Sequence, residues 1–580
     1  MFSTISDQIL NINSLQQAIK NKNCKEILNE IDSIITNKGA LIQDLSVFHQ
    51  LLQSDNIEIL TNVSKLIAEL AKTLPNRNKL SDNAIILKIL QLLSIDHLNL
   101  QIQSCRALGN LCYESDSVRN VLFENEALNK IVTLLNNNLK VYYNSSNTND
   151  ESLKENCGIL RKVACGLLFN FLVSNEDIQK KALELNTINT VEQILQIEVK
   201  DIEHSEDCIT HLLLVLTLIL DNGGEVWITE NISCSLIDIL QVSTNPDVSE
   251  LCLEILCGQA ENDEIKTYLA KHGLCELMYN LLEKHKELVN DEDSRALMKM
   301  VCDLIILVLT GDESMTYLYD NGKGKVYFNM ISWLRSDDED LKTTGVLAIG
   351  NFARKDENCI QMVQDGVAKK LLDILSQHNT SKGDLKLQHA VLSALRNLAI
   401  PNQNKEIILN EGLVDVIYPL LEIDQMPVIF KLLGTIRMVI DGQGETAVKF
   451  TSERHFIERI IYWCYNTDHL GVKGESSRLL AWLIKNSHSK DAYTNVLNVP
   501  DSIKCLVDMI PSQHPVMQNE ALLALNLLVL HCLRTDQDSI ANLDSKQLLE
   551  NALIEANLGP NISTLLTKCL NNSLEKEVVE

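Results

Sequence analysis

The sequence predicts an all-α protein, a solenoid built from helical repeats. The first observation behind this prediction is a set of similar apolar segments that recur every 40 to 60 residues along the chain. The second is the composition, since only 9 of 580 residues are proline and 22 are glycine. Few turn-forming residues favour long helices, and a period of about 40–47 residues is typical of armadillo and HEAT repeats. We therefore expect a right-handed α-solenoid of about 11–12 armadillo repeats.

The clearest copies of the repeat are the apolar segments Ser104–Tyr113 and Ser393–Pro401. Each has small residues early and an asparagine near its end, at Asn110 and Asn397. The equivalent positions along the chain are 69, 110, 170, 218, 258, 308, 351, 397, 438, 482 and 526. The longest step, from 110 to 170, contains the polar stretch 143–155, which predicts a loop insertion.

The repeats divide the chain into three parts. Residues 1–60 predict a divergent N-terminal helical cap, residues 61–530 the armadillo array, and residues 531–580 a C-terminal helical cap and tail. A single unit cannot bury its apolar face alone, so we expect neighbouring units to stack into one continuous core.

Charge and cysteine usage limit the partners and the compartment. The net charge is −27, which repels phosphate backbones, so we expect no nucleic acid partner and instead attraction toward a basic one. The 16 cysteines are scattered without a CxxC pair, as in a reducing compartment. The N-terminus lacks a secretory pattern, and the longest apolar run is about nine residues, against roughly 20 for a membrane span. We expect a monomer in the cytoplasm, with nuclear access left open and no direct membrane insertion.

The catalytic motifs of common enzyme classes are absent from the sequence. There is no P-loop, HExxH, GxSxG or EF-hand pattern. We therefore expect a non-catalytic binding protein with no catalytic residues, no cofactor and no metal site. The binding surface of a solenoid is its concave face, which the third helix of each repeat lines.

Polar residues on or near the third helices are the candidate binding residues. The amides are Asn351, Asn397 and Asn526, and the basic residues are Arg354, Arg396, Lys431, Arg437 and Arg478. Such amides can bond a peptide backbone, and such cations suit carboxylates of a partner. An acidic group could hold a lysine-rich segment; it comprises Glu250, Glu254, Glu261, Asp263, Glu264, Asp312 and Glu313. Two plainer interpretations stay open: local bonding by the amides, and a solvated helix face for the acidic residues.

Several strings resemble those of one known family, the armadillo-repeat small-GTPase GDP-dissociation stimulators (SmgGDS). They follow the family order across about residues 60–525. The matching strings are Arg106–Asn110, Ala260–Asp263, Gly311–Met315, Leu347–Ile360, Gln388–Pro401, Phe430–Asp441, Gly474–Leu480 and Met517–Leu522.

The resemblance implies a guanine-nucleotide exchange factor with chaperone character. Its partners would be Rho-, Rac- or Ras-type GTPases, GDP-bound or nucleotide-free, with a polybasic, prenylated C-terminal tail. The groove would bind the GTPase, stimulate GDP release and shield the tail, with a lipid slot among the early repeats. The implied GTPase-binding residues are Asn351, Arg354, Arg396, Asn397, Lys431, Arg437 and Arg478. The implied tail-binding residues are Glu254, Glu261, Asp263 and Asp312.

Other binding functions remain open on the residues alone. A chaperone or scaffold would bind GTPases without changing GDP release. An importin-like receptor would need an array of Trp-x-x-x-Asn pairs on successive third helices, and only Trp482 with Asn486 lies on one. A junctional armadillo role would leave the acidic and basic groups without a use.

Overall fold

The protein is described here by a computed structural model covering residues 13–36, 41–42, 44–145, 151–285 and 291–534. Within these ranges the regular structure is helical and includes no strand, so the prediction of an all-α fold is confirmed. The helices form two compact units: unit 1 ends at Leu277 and unit 2 begins at Met278.

The bounds of the helices follow the repeat pattern, with short helices between long ones. In unit 1 they are α1 (Asn13–Lys20), α2 (Cys24–Thr36), α3 (Ser46–Leu52), α4 (Ile57–Leu70), α5 (Leu74–Leu80), α6 (Asn83–Leu92), α7 (Leu98–Cys112), α8 (Asp116–Glu124), α9 (Ala127–Ser145), α10 (Glu151–Leu172), α11 (Glu176–Glu184), α12 (Thr187–Glu198), α13 (Ile202–Asp221), α14 (Glu230–Val242), α15 (Pro246–Gln259) and α16 (Asp263–Lys271). Helix α17 (Leu274–His285) contains the division between the units. In unit 2 they are α18 (Glu292–Thr310), α19 (Asp312–Tyr319), α20 (Lys325–Trp333), α21 (Glu339–Phe352), α22 (Asp356–Gln364), α23 (Val367–His378), α24 (Leu385–Leu398), α25 (Asn402–Asn410), α26 (Leu413–Ile417), α27 (Met426–Ile440), α28 (Gly444–Ser452), α29 (Arg454–Tyr465), α30 (Leu470–Ser487), α31 (Lys490–Leu497), α32 (Ser502–Val507) and α33 (Pro515–Arg534).

Short polar side chains start many of these helices. The residue before the first turn accepts hydrogen bonds from two backbone N–H groups that have no partner inside the helix. This is seen at Asn56, Asp82, Asn262, Asp338 and Asp384. Each such cap stabilises its helix by about 1 kcal/mol. The polar residues that separate the apolar segments therefore set where the helices begin.

One long helix of each repeat packs side by side with its counterpart in the next. We call these the row helices: α4, α7, α10, α13 and α15 in unit 1, and α18, α21, α24, α27, α30 and α33 in unit 2. Small residues such as Ala348 and Ala394 are fully buried in the row. Because the row helices are the third helices expected from the sequence, they place the candidate binding residues.

The predicted loop and termini fall partly outside the described residues. Helix α9 runs to Ser145 and α10 begins at Glu151, so helix extends into both ends of the stretch 143–155 predicted as a loop. Polar composition predicts exposure to water, and residues such as Glu and Lys are compatible with an exposed helix end. The predicted C-terminal cap and tail, 531–580, lies outside the described residues beyond position 534.

Candidate functional site

The two amide residues Asn351 and Asn397 occupy the same place on α21 and α24 but bond differently. The Asn351 side chain donates to the backbone carbonyl of Leu347 in its own helix, at 3.1 Å. The Asn397 side chain instead donates to the carbonyl of Gly350 on α21, also at 3.1 Å. Asn397 therefore links two neighbouring repeats.

The link made by Asn397 recurs in unit 1. Asn110 on α7 donates to the carbonyl of Ala68 on α4, at 2.7 Å. Asn170 on α10 donates to the carbonyl of Gly109 on α7, at 3.0 Å. The amide N–H of this repeated asparagine thus joins adjacent row helices, which is one of the local roles left open by the sequence.

Arg354, directly after α21, closes the C-terminal end of the preceding row helix. Its guanidinium donates to the carbonyls of Leu309 and Thr310 at 2.7 Å and of Gly311 at 3.2 Å. The last carbonyls of a helix have no partner inside it, and a cation suits the negative end of the helix dipole. Arg354 also pairs with Asp312 at 3.2 Å. Its donors therefore hold α18 and α21 together, and they link a residue of the basic set to one of the acidic set.

Arg437 and Arg478 form a compensated charge network with two glutamates. Glu475 accepts from Arg437 at 2.8 and 3.2 Å and from Arg478 at 3.0 Å. Arg478 also donates to both oxygens of Glu520, at 2.8 and 2.9 Å. Burial alone would raise the pKa of Glu520, but the hydrogen bonds from Arg478, the N–H of Trp482 and the charges of the two arginines together outweigh it and the pKa is lowered. The Arg437 side chain is only 6% exposed. These two arginines are therefore largely engaged inside the row.

Arg396 on α24 and Lys431 on α27 form a different kind of pair, which we call the cationic pair. Both are half-buried, and in the part of the chain that the structure describes neither side chain makes an ion pair or hydrogen bond. Burial lowers the pKa of Lys431, and the nearby charge of Arg396 lowers it further. A Cβ at Gly434 would lie 3.3 Å from Nε of Arg396, so the guanidinium lies against α27. Oε2 of Glu475 lies 3.8 Å from the same Cβ position, but that carboxylate is bonded to Arg437 and Arg478, so the cationic pair has no ion-pair partner of its own among the described residues.

An apolar pocket of about 470 Å³ lies on the row helices α21, α24 and α27, two of which carry the cationic pair. Its lining includes Leu347 from α21, Leu385 and His389 from α24, and Pro427 and Val428 from α27. Leu347 and Leu385 are 38% and 37% exposed, which leaves apolar surface open to a partner. Sequence reasoning missed this pocket, although exposed leucines on consecutive row helices are its signal. Burial lowers the pKa of His389, and the positive charge of Lys431 lowers it further. The neutral form of the ring is therefore favoured.

A second pocket, of about 410 Å³, gathers acidic residues in unit 1. Glu254 and Glu261 line it together with Asp221, at the end of α13, and with Trp227. In the described residues none of these three carboxylates makes an ion pair, and Trp227 is 39% exposed. Three unmatched carboxylates beside an aromatic ring suit a lysine or arginine side chain. Asp221 and Trp227 were missed because the sequence does not show that the chain after α13 folds back to Glu261.

The other two acidic candidates have partners of their own. Asp263, in the first turn of α16, pairs with Lys266 at 2.8 Å. Asp312 belongs to unit 2, where it begins α19 and pairs with Arg354. Of the four predicted tail-binding residues, the structure therefore brings Glu254 and Glu261 into one pocket.

A third pocket, of about 680 Å³, lies in unit 1 next to the polar insertion. Leucines from three segments line it, Leu98 on α7, Leu134 on α9 and Leu160 on α10, together with Val141. Polar side chains, among them the buried Asn138, also line it. This is a mixed pocket among the early repeats, where a lipid slot was expected.

The sequence predicts neither a membrane-spanning helix nor a metal-binding cluster of side chains. Among the described helices, none combines the length and the apolar character needed to span a membrane. Within the same residues no group of three or more His, Cys, Asp or Glu side chains is arranged to hold a metal ion.

The chain is similar to known proteins over most of its length. It is 39% identical over 567 residues to the GTPase-GDP dissociation stimulator vimar of Drosophila melanogaster, covering 92% of this chain and 86% of the fly protein. It is 34% identical over 518 residues to the Rap1 GTPase-GDP dissociation stimulator 1-A of Xenopus laevis, covering 89% and 82%. The 1-B protein of Xenopus laevis gives the same identity and coverage. No family model matches the chain.

The fold is also similar to that of a solved structure. A structure from work on the interaction between cadherin and beta-catenin covers 90% of this chain and 99% of its own, with a TM-score of 0.56 and 14% identity. At that identity the likeness shows the fold alone. The prediction of an all-α solenoid is confirmed.

Proposed function

Because this chain belongs to the family of GTPase-GDP dissociation stimulators, we propose that it binds a small GTPase and stimulates the release of GDP from it. The observation that carries the proposal is the cationic pair, Arg396 and Lys431. Two half-buried like charges repel each other and destabilise the free protein. Although the chain has a net charge of −27, neither member of the pair forms an ion pair within the described residues. Carboxylates of a partner would remove the repulsion, and so binding is favoured there.

The surface around the cationic pair suits a folded protein partner. The pair would accept carboxylates of the GTPase, and the neighbouring pocket with Leu347 and Leu385 would accept an apolar side chain. An apolar anchor beside desolvated charge is typical of the residues that dominate binding energy at interfaces. Arg437 and Arg478, held by Glu475, would support α27 and α30 rather than contact the GTPase first.

Stimulated GDP release needs no acid, base or metal from this protein. It requires only that the row-helix surface bind the GTPase with its nucleotide site open more tightly than with it closed. A difference of about 4 kcal/mol would shift that equilibrium roughly a thousandfold. We propose Rho-, Rac- or Ras-type GTPases as the partners, in the GDP-bound or nucleotide-free state.

The acidic pocket would receive the polybasic tail of the GTPase. Glu254, Glu261 and Asp221 supply three carboxylates, and the ring of Trp227 can stack on a cationic side chain. The leucines of the third pocket, from α7, α9 and α10, would contact the prenyl group, although polar side chains also line this pocket. Binding of the tail in this way would give the protein its chaperone character.

The direct test is the release of fluorescent GDP from a panel of Rho, Rac and Ras GTPases. Each would be used prenylated, unprenylated and with the tail removed, in the presence of the full 580-residue chain. Faster release that depends on the tail supports both parts of the proposal. Binding without faster release would contradict exchange and leave a chaperone or scaffold.

The same assay with variants tests the two surfaces separately. Arg396→Glu combined with Lys431→Glu should lower GTPase affinity by about ten- to a hundredfold, as expected for lost charge-assisted contacts. Glu254→Lys should mainly slow association and reduce its salt dependence, since the tail is attracted by charge. The matched control is Arg454→Glu, a charge reversal on α29 of an arginine that is 63% exposed. Equal losses in the control and in the cationic-pair variant would contradict the proposed surface.

A further inference from the structure

Two cysteines of neighbouring repeats meet in the C-terminal half of unit 2. Cys464 lies in the last turn of α29, and Cys505 lies in α32, 41 residues further along the chain. Their sulfur atoms are 3.2 Å apart. The Ser477 hydroxyl, on row helix α30, lies 3.2 Å from the sulfur of Cys464 and 3.4 Å from that of Cys505. A disulfide needs an S–S distance of about 2.05 Å, so a small approach of the two side chains would allow it.

One of the two sulfurs is within reach of a small solute. Cys464 is 7% exposed and lines a pocket of about 630 Å³, whereas Cys505 is fully buried behind it. The pocket is bordered by Lys473 and Met517. An oxidant the size of hydrogen peroxide could therefore contact Cys464 but would not contact Cys505 directly.

The surroundings make the two thiols unequal. The hydrogen bond from Cys505 lowers the pKa of Cys464 to about 7, with help from Ser477 and Lys473 and against the effects of burial and of Asp508. Donation of that bond, together with burial, raises the pKa of Cys505. The thiolate is the nucleophilic form of cysteine, and low-pKa accessible thiols are the ones that peroxides oxidise. Cys464 is thus suited to react first, with the Cys505 thiol beside it.

The tyrosine that follows Cys464, which is also ionisable, is already bonded elsewhere. The Tyr465 hydroxyl donates to Asp508 at 3.0 Å, and burial raises its pKa. It stays neutral at physiological pH and does not compete for the proton of Cys464.

We propose that Cys464 and Cys505 form a reversible oxidation site for hydroperoxides. The thiolate of Cys464 attacks one oxygen of hydrogen peroxide, the O–O bond breaks, and hydroxide leaves, giving a sulfenic acid. The Cys505 thiol then attacks the sulfenic sulfur, an S–S bond forms, and the hydroxyl leaves as water with the thiol proton. The hydroxide takes up the proton that Cys464 lost on ionisation, so in total two thiols and one hydrogen peroxide give one disulfide and two waters. The disulfide would join two neighbouring repeats through α29 and α32, and thiol reductants would reverse it.

The chain offers a matched control pair in unit 1. Cys165 on α10 and Cys208 on α13 are also neighbours across two repeats, but they are only 1% and 2% exposed. The hydrogen bond to Cys165 and burial raise the pKa of Cys208. Proximity alone would make both pairs react, whereas the proposed site requires reaction at Cys464.

The test is oxidation of the reduced full chain with stoichiometric hydrogen peroxide, followed by alkylation and peptide mass spectrometry. We expect the first product to be a peptide pair joined between Cys464 and Cys505, lost on treatment with dithiothreitol. Hydrogen exchange in α29 and α32 should slow on oxidation, because the new bond links them. In Cys505→Ser we expect a trapped sulfenic acid at Cys464, and in Cys208→Ser the same joined peptides as in the wild type.

Three outcomes would overturn the proposal. The first is oxidation of the more exposed thiols Cys24, Cys234 or Cys257 while the pair stays reduced. The second is joining of Cys165 to Cys208 at the same rate, and the third is irreversible oxidation of Cys464 with Cys505 unchanged. The wild-type measurement decides between these results even where a serine variant fails to fold.

Discussion

Replacing Glu475 by glutamine is expected to destabilise unit 2 by about 3–5 kcal/mol, the usual cost of removing one partner of a buried ion pair. Glu475 accepts three hydrogen bonds, two from Arg437 at 2.8 and 3.2 Å and one from Arg478 at 3.0 Å. The side chains of Arg437 and Glu475 are 6% and 12% exposed. Glutamine keeps the shape of the side chain but not its charge, so Arg437 would stay buried without a counterion.

Hydrogen exchange on the intact chain measures this loss where it occurs. Repeat arrays can unfold in parts, so a single melting temperature is not well defined for them. The amides of α27 and α30, which carry Arg437 and Glu475, should exchange about a hundredfold to a few thousandfold faster, since 1.4 kcal/mol corresponds to a factor of ten. Amides of the more distant row helix α21 should change much less.

Two variants show whether charge is the cause. Glu458→Gln makes the same change in the exposed ion pair of Glu458 with Arg454, in which Nε of Arg454 lies 2.7 Å from Oε1 of Glu458. This variant should cost less than about 1 kcal/mol. Replacing both Arg437 and Glu475 by leucine removes this ion pair as a unit and leaves Arg478 paired with Glu520, so it should cost less than Glu475→Gln alone. A Glu475→Gln protein as stable as Glu458→Gln would refute the reasoning. A double variant less stable than the single one would show that shape rather than charge matters at this place.

Two further predictions concern the same row helices. Asn397→Ala should destabilise the contact of α21 with α24 by about 1–3 kcal/mol, because it leaves the Gly350 carbonyl without the side-chain donor of Asn397. Asn351→Ala should have a smaller effect on that contact, since it removes only a hydrogen bond within α21. Hydrogen exchange in α21 and α24 would measure the difference, and equal effects would contradict the linking role of Asn397. Burial, with a contribution from Lys431, lowers the pKa of His389, so below about pH 6.5 the unfolded chain binds more protons at this residue than the folded one. Stability should therefore fall as the pH falls through that value toward the folded pKa. His389→Gln should reduce the pH dependence of the hydrogen-exchange protection of α24, and an unchanged pH dependence would exclude this contribution.

The repeat period and the row helices could be predicted from the sequence because each repeat must bury one apolar face against the next. The acidic pocket could be predicted only in part. Glu254 and Glu261 are seven residues apart at the end of one repeat, so their phase indicated a common surface. Asp221 and Trp227 come from the preceding repeat, and their place in the pocket depends on the path of the chain after α13. That path is set by tertiary packing and has no periodic signal.

The basic residues show what periodicity leaves out. Arg437 and Arg478 repeat at similar phase and were predicted as one cationic surface with Arg396 and Lys431. Phase shows which residues share a face, but the charge of that face also depends on the acidic residues next to them. Arg437 and Arg478 find glutamates 38 and 42 residues further on, about one repeat away, on the neighbouring row helix.

Counting acidic residues on adjacent row helices separates the two kinds of cation. Helices α24 and α27 contain no aspartate or glutamate, although the chain has 78 of them. Arg437 is neutralised from α30, but Arg396, between α21 and α27, has no carboxylate from α27 to meet. An arginine on a row helix is therefore structural where the next row helix carries a carboxylate about one repeat away. Where it does not, as for Arg396, the arginine remains available to an anionic partner. The row helix after Lys431 carries Glu475, but that carboxylate is already bonded to Arg437 and Arg478. For these reasons Arg396 and Lys431, rather than the whole basic set, support the proposed binding surface.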